Sequence, residues 1–262
     1  MLDNLFSTLC WHRLSAALVN IRSSPAMKSH PLSVFQAIIK GVTASLGNTA
    51  EPVIFFHIKD KKHTFRMKEG NRINLEIFFC RQDLAYVNLW RHAFKAYIAD
   101  HLTGKNFDIV ELSEIEERNF SRVTADAGEL PAEGELCLEF LTPLPFTPAK
   151  SRHRTYLTVD RLISLLEKRF QKLFGIEITY KKQGDDFRLL PYYWNYTEIR
   201  HPSHSQPGHT QYINGCAGRL YLKGRWSGLL PFLILGGELH AGTDITYGRG
   251  YYKIHVSRVI AM

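Results

Sequence analysis

The chain has 262 residues, 45% of them hydrophobic and 22% charged, ordinary globular values that exclude a disordered chain. Its 33 Lys plus Arg outnumber its 25 Asp plus Glu, and the formal net charge of +8 makes an acidic partner, nucleic acid first, the one to look for. The longest apolar stretch, Leu229 to Leu235, holds Pro231 and is far short of the roughly 20 residues a helical membrane span needs, so no membrane partner is expected.

The opening segment, MLDNLFSTLCWHRLSAALV, has no basic n-region and no small-residue cleavage site after a clean apolar core; a secretory signal is not expected, and the cytosol is the expected compartment. The apolar run Leu14 to Ile21 predicts a strand, and Leu32, Phe35, Ile38, Ile39, Val42 and Leu46 recur at helical spacing. Val53 to Ile58 and Ile73 to Phe79 are β-branched and aromatic, and with the turn signal Lys68-Glu69-Gly70-Asn71 between them they predict a pair of strands. A second helical pattern over Leu84 to Leu102 and a closing strand over Phe107 to Leu112 complete the order β-α-β-β-α-β. Acidic Glu111 to Glu117 is expected to face solvent or a protein partner. Asp126 to Glu135, DAGELPAEGE, has no apolar period and is expected to be a linker, which divides the chain into residues 1–130 and 131–262.

The second half repeats the order. Leu136 to Leu141 predicts a strand ending at Thr142-Pro143, and Val159 to Phe174 an amphipathic helix. Phe187 to Ile199 and Arg219 to Trp226 predict strands, Ser227 to Leu239 a helix and Tyr251 to Val259 a last strand. The fold class is therefore α+β, with tandem ferredoxin-like (RRM-like) domains, antiparallel sheets and a C-terminal Gly-rich loop. Charge follows this division: residues 1–130 hold 16 Lys plus Arg against 14 Asp plus Glu, and residues 131–262 hold 17 against 11. The second half is thus the expected electrostatic footprint. Cys10, Cys80, Cys137 and Cys216 form no C-x-x-C pair; each is expected to be a small buried hydrophobe in a reducing compartment, with no metal site and no cofactor.

Leu235 to Ile254, LGGELHAGTDITYGRGYYKI, sets Gly242, Gly248 and Gly250 between a helix and a Tyr-rich strand, where backbone can approach a phosphate or another backbone. It lacks the strand-then-helix context of a dinucleotide fingerprint and the Gly-Lys-Ser/Thr ending of a P-loop. Together with LEFLTPLPF at Leu138 to Phe146, with Arg161, Leu165, Arg169 and Leu173 on one helix, and with Gly215-x-x-Gly218-x-x-x-Leu222 before Gly224, this loop makes the second half resemble the RAMP superfamily of CRISPR-associated proteins. Within it, the resemblance is to the endoribonucleases that cut precursor CRISPR RNA at its repeats.

That resemblance implies metal-independent cleavage. The ribose 2′-OH attacks the adjacent phosphate, leaving a 2′,3′-cyclic phosphate and a 5′-OH, with a base, an acid and cations at the phosphorane. It also implies that the protein stays on the mature guide RNA and joins the subunits of an effector complex. Enzymes of this type often carry a catalytic histidine just after the first helix; this chain has Leu46-Gly47-Asn48 there. Substitutes are sought nearby, in Arg22 and His30 and then in His57. RNA contacts are expected from Arg152, Arg154, Arg161 and Arg169 on and before the second-half helix, and from Gly242, Gly248, Arg249 and Gly250 in the loop.

Plainer roles stand beside these. His30 before Pro31 suits a helix entry, HIKDKKH a solvated turn, and the three glycines a tight turn with helix packing. His201, His204 and His209 lie in a Pro- and Gly-broken segment that suits a loop better than a metal site. Tyr192, Tyr193, Trp194 and Tyr196, beside Arg188 and Arg200, suit either base stacking or a half-buried strand. A RAMP subunit that binds guide RNA without cutting it, or an enzyme acting on a small phosphorylated substrate, are the alternatives to a repeat-specific nuclease.

Overall fold

The computed structural model describes residues 6–21, 30–47, 53–62, 64–101, 104–146, 153–182, 184–202, 210–242 and 248–256. The first half comprises β1 (Cys10–Asn20), α1 (Pro31–Ser45), β2 (Val53–Ile58), β3 (Arg72–Cys80), α2 (Leu84–Asp100) and β4 (Phe107–Leu112). Its strands pair antiparallel in the order β2-β3-β1-β4, which is the ferredoxin-like arrangement. One sheet face, with Leu14, Leu18, Phe56, Leu75 and Ile77, packs on α1 and α2. α2 turns Val87, Trp90, Phe94 and Ile98 inward at helical spacing, and Asp83 caps it by accepting the Tyr86 N–H.

Two elements occupy the stretch expected to be acidic surface and linker. β5 (Glu116–Asn119) pairs with the start of β1, and α3 (Phe120–Ala127) follows, capped by the Asn119 side chain. Arg118 is the reason these carboxylates can be drawn inward. Its buried guanidinium binds Glu116, Asp126 and Glu238, so the local acidity is neutralised from within and Glu116 does not simply face solvent. Only residues 128–132 separate α3 from the next strand.

The second half comprises β6 (Glu133–Leu144), α4 (Val159–Phe174), β7 (Asp186–Pro202), β8 (Thr210–Arg225), α5 (Leu230–Leu239) and β9 (Tyr252–Val256). Its sheet order, β7-β8-β6-β9, repeats that of the first half, so the architecture is the tandem ferredoxin-like one. β7 and β8 run to 17 and 16 residues, longer than their apolar patterns, because they pair with each other from Asp186 and Arg225 to Pro202 and Thr210, with one register shift between Tyr192 and Asn195. α5 starts later than its pattern because buried Asp185 takes the N–H groups of Gly228 and Leu229 and the hydroxyl of Ser227, which fixes those residues as the helix entry.

The two halves share one core. The second face of the first sheet presents Trp11, Phe55, Phe78 and Cys80 to α4 and α5, which on their other side cover Leu136, Leu138 and Phe140 of β6. Cys80, Cys137 and Cys216 are buried as expected, but Cys10, which opens β1 between the buried Leu9 and Trp11, is exposed. Among the described residues no helix is long and apolar enough to cross a membrane. Among them, too, no element covers the outer face of the second sheet.

Candidate functional site

Between the halves lies a cleft of about 700 Å³ lined by Arg13, His57, Lys59, Glu76, Glu238, Tyr251, Lys253 and His255 among others. At its floor His57 is buried on β2. Its Nε2–H donates to Glu76 Oε2 at 2.7 Å, its Nδ1 lies 3.0 Å from His240 Nε2, and its ring stacks on Tyr251 at 3.8 Å between centroids. Burial works against the Glu76 carboxylate, yet the hydrogen bond and charge of His57, with Lys59 and Arg13, outweigh it and hold its pKa at about 2. Burial first, then His57 and Arg169, push His240 well below the ordinary imidazole range, so that ring is neutral. Both nitrogens of His57 are therefore committed inside the protein, and the residue locks β2 of the first half to the end of α5 in the second.

His30 also has a structural role. Its Nδ1 accepts the Leu32 N–H at 3.2 Å and caps α1, with Pro31 at the first helical position. Arg22 and Arg152 lie outside the described residues, as do His63, His204 and His209. Arg154 is exposed, pairs with Glu198 at 3.2 Å and lies over the Tyr196 ring. Arg161 is half-buried in the first turn of α4, its N–H held by Thr158.

Arg169, expected on the RNA side, is fully buried. Its Nε donates to the Leu239 carbonyl at 2.7 Å and its guanidinium covers the Phe55 ring, so it joins the halves and does not reach a surface. The Gly-rich loop departs from expectation in the same direction. The N–H of Gly250 donates to Pro143 O and that of Gly242 to Leu165 O, which leaves neither for a phosphate. Cβ atoms at Gly248 and Gly250 would collide with the Phe56 and Ala241 carbonyl oxygens, and both residues have positive φ. Arg249 between them is buried and donates to Tyr212 O at 3.1 Å. The glycines hold backbone against backbone and the Arg249 side chain holds a backbone carbonyl, so the glycines serve packing in the described part of the loop.

What the sequence reading did not assemble is the open face of the second sheet. Residues two apart on a strand share a face, and the register sets Arg188, Leu190 and Tyr192 of β7 against Lys223, Tyr221 and Arg219 of β8. Beyond them follow Cys137 and Glu139 of β6, then His255 and Lys253 of β9. Tyr192 is 50% exposed and Tyr193, at positive φ in an irregularity of β7, is 73% exposed, whereas Trp194 is buried with its Nε1–H on Thr155 O. The aromatic cluster therefore divides: two rings go to solvent, Trp194 goes to the core, and Tyr196 is half-buried against it. Alternation along β7 and β8 was the available signal, and it needed the register to become a surface.

The chain is thus a tandem ferredoxin-like protein with a basic, aromatic face on its second sheet. Residues 138–252 match the family model of the CRISPR-associated endoribonuclease Cas6. Among solved structures, the fold is similar to that of a Cas6 product complex (15% identity, TM-score 0.55, 95% of this chain and 100% of that one) and of Cas6 from Thermus thermophilus (12%, 0.51, 95% and 99%). It is also similar to a partial Cas6-RT-Cas1–Cas2 complex at 15% identity and TM-score 0.57, where 98% of this chain covers 48% of the other. No curated protein matches at the level of sequence. The resemblance to CRISPR-associated RAMP-type endoribonucleases is thus borne out, by the family match over the second half and by the fold over nearly the whole chain.

Proposed function

We propose that the chain is a CRISPR-repeat endoribonuclease that cuts precursor CRISPR RNA without a metal ion and stays bound to the mature guide, as a subunit of an effector complex. The match of residues 138–252 to the Cas6 family model, within a complete tandem ferredoxin-like fold, carries this reading. Its two units divide at residue 130. In the reaction a 2′-oxygen gives up its proton and bonds to phosphorus while the bond from phosphorus to the 5′-oxygen breaks. The 5′-oxygen takes up a proton, so none is consumed overall.

RNA binding is assigned to the basic strip of Arg188, Arg219, Lys223 and Lys253, to exposed Arg154, to Arg161, and to Arg152 two residues before Arg154 in sequence. These supply phosphate contacts, and Tyr192 and Tyr193 supply rings on which unpaired bases stack. A second reading, a RAMP subunit that binds guide RNA without cutting, is favoured by one observation: α1 ends at Ser45 and is followed by Leu46 and Gly47, the latter at φ +63, with no histidine there. Incubating the protein with end-labelled repeat RNA in EDTA separates the two. A single cut with a 2′,3′-cyclic phosphate end supports the nuclease; tight binding with no cut supports the second reading.

A further inference from the structure

We propose that His255 is the general base of this cleavage, held by Glu139 on the open face of the second sheet where it meets the interdomain cleft. The inference rests on the nuclease reading above and adds a residue to it. Register places the pair: Cys137 faces His255 and Glu139 faces Lys253 across the β6–β9 ladder, so all four lie on the outer face. His255 Nε2 donates to Glu139 Oε2 at 3.1 Å, which leaves Nδ1 as the accepting nitrogen of the neutral ring. The imidazole is half exposed and lines the cleft mouth, so a 2′-hydroxyl can reach it; His57, sealed on the floor, is out of reach.

The surroundings suit a phosphorane. Glu139 is itself fixed by Lys62 at 3.0 Å and Arg219 at 3.5 Å, and Lys253 stands two residues from His255, paired with Asp60. Burial works against ionisation of Glu139, but Lys62 first and then Arg219 hold its pKa below the ordinary carboxylate range, so it remains an acceptor for the imidazole N–H. A base oriented by a carboxylate, with Lys62 and Arg219 on that carboxylate and Lys253 two residues along the same face, brings together the kinds of group that 2′-OH attack uses. In the step, Nδ1 takes the 2′-proton as the 2′-oxygen bonds to phosphorus. The bond to the 5′-oxygen breaks, that oxygen takes a proton from solvent, and the imidazolium returns its own to solvent.

The test is single-turnover cleavage of labelled repeat RNA by the full chain. His255→Ala is expected to slow cleavage by about 100-fold or more while the Kd for the RNA stays within about threefold, as for loss of a base acting in the transition state. Added imidazole restores part of the rate. Glu139→Gln, whose amide oxygen still accepts the Nε2–H, keeps more activity than Glu139→Ala. Cleavage by His255→Ala within about threefold of the parent, while the parent cuts, overturns the assignment and leaves the nuclease reading standing. A parent chain that binds repeat RNA and never cuts it overturns both.

Discussion

Glu76→Gln tests how the halves are held together. The carboxylate is buried at the junction and its pKa falls from 4.5 to about 2 on folding, against the cost of burial, because His57, Lys59 and Arg13 favour the ionised form. A depression of that size corresponds to about 3 kcal/mol of stability, at about 1.36 kcal/mol for each tenfold change in proton affinity. The folded state binds this proton less readily than the unfolded one, so the contribution is complete above pH 4.5 and is lost as pH falls toward 2. By pH 3 about 2 of the 3 kcal/mol should be gone. The amide of the variant cannot ionise, so the difference in unfolding free energy between the parent and Glu76→Gln should shrink by that amount between pH 6 and pH 3. Urea unfolding followed by tryptophan fluorescence at several pH values measures it, and other carboxylates such as Glu116 cancel because both proteins carry them. A difference that stays flat within about 0.5 kcal/mol over that range would refute the claim that Glu76 is held ionised by this network.

Two further outcomes follow from geometry already described. Gly250→Ala should destabilise by about 2–4 kcal/mol, since the methyl group meets the Ala241 carbonyl at a positive φ, whereas Gly70→Ala, also at positive φ but with nothing within 4 Å, should lose only about 1 kcal/mol. Equal losses in urea unfolding would show that contact with Ala241 is not what requires glycine. Tyr192→Ala with Tyr193→Ala should weaken binding of a single-stranded RNA about tenfold or more, at about 1–3 kcal/mol for each stacked base, with thermal stability unchanged because both rings are exposed. Unchanged affinity by fluorescence anisotropy would remove the stacking role.

Local pattern made much of the fold legible. Helix α4 and strands β2 and β4 fall where apolar periodicity puts them, and the repeated β-α-β-β-α-β order is enough to define the tandem architecture. β5 and α3 were hidden because Glu116, Asp126 and Glu238 look like solvent-facing charge until Arg118 is placed among them. A long-range partner 120 residues away in sequence leaves no local signal.

The candidate site was legible in part. Sequence alone determined a basic chain of two ferredoxin-like units, a second half with the RAMP pattern, and a missing histidine at Leu46-Gly47-Asn48. Tertiary structure decided which side chains face outward. It turned Arg169, Arg249 and His57 inward, gave the loop glycines to backbone packing, and brought Glu139, Arg219, Lys62 and His255 together from three strands and a loop. The physical reason is that periodicity fixes which residues share a face of one strand. Which strands lie side by side, and which face is then covered, depends on cross-strand register and on packing between the halves, and both of these are set by contacts far apart in the chain.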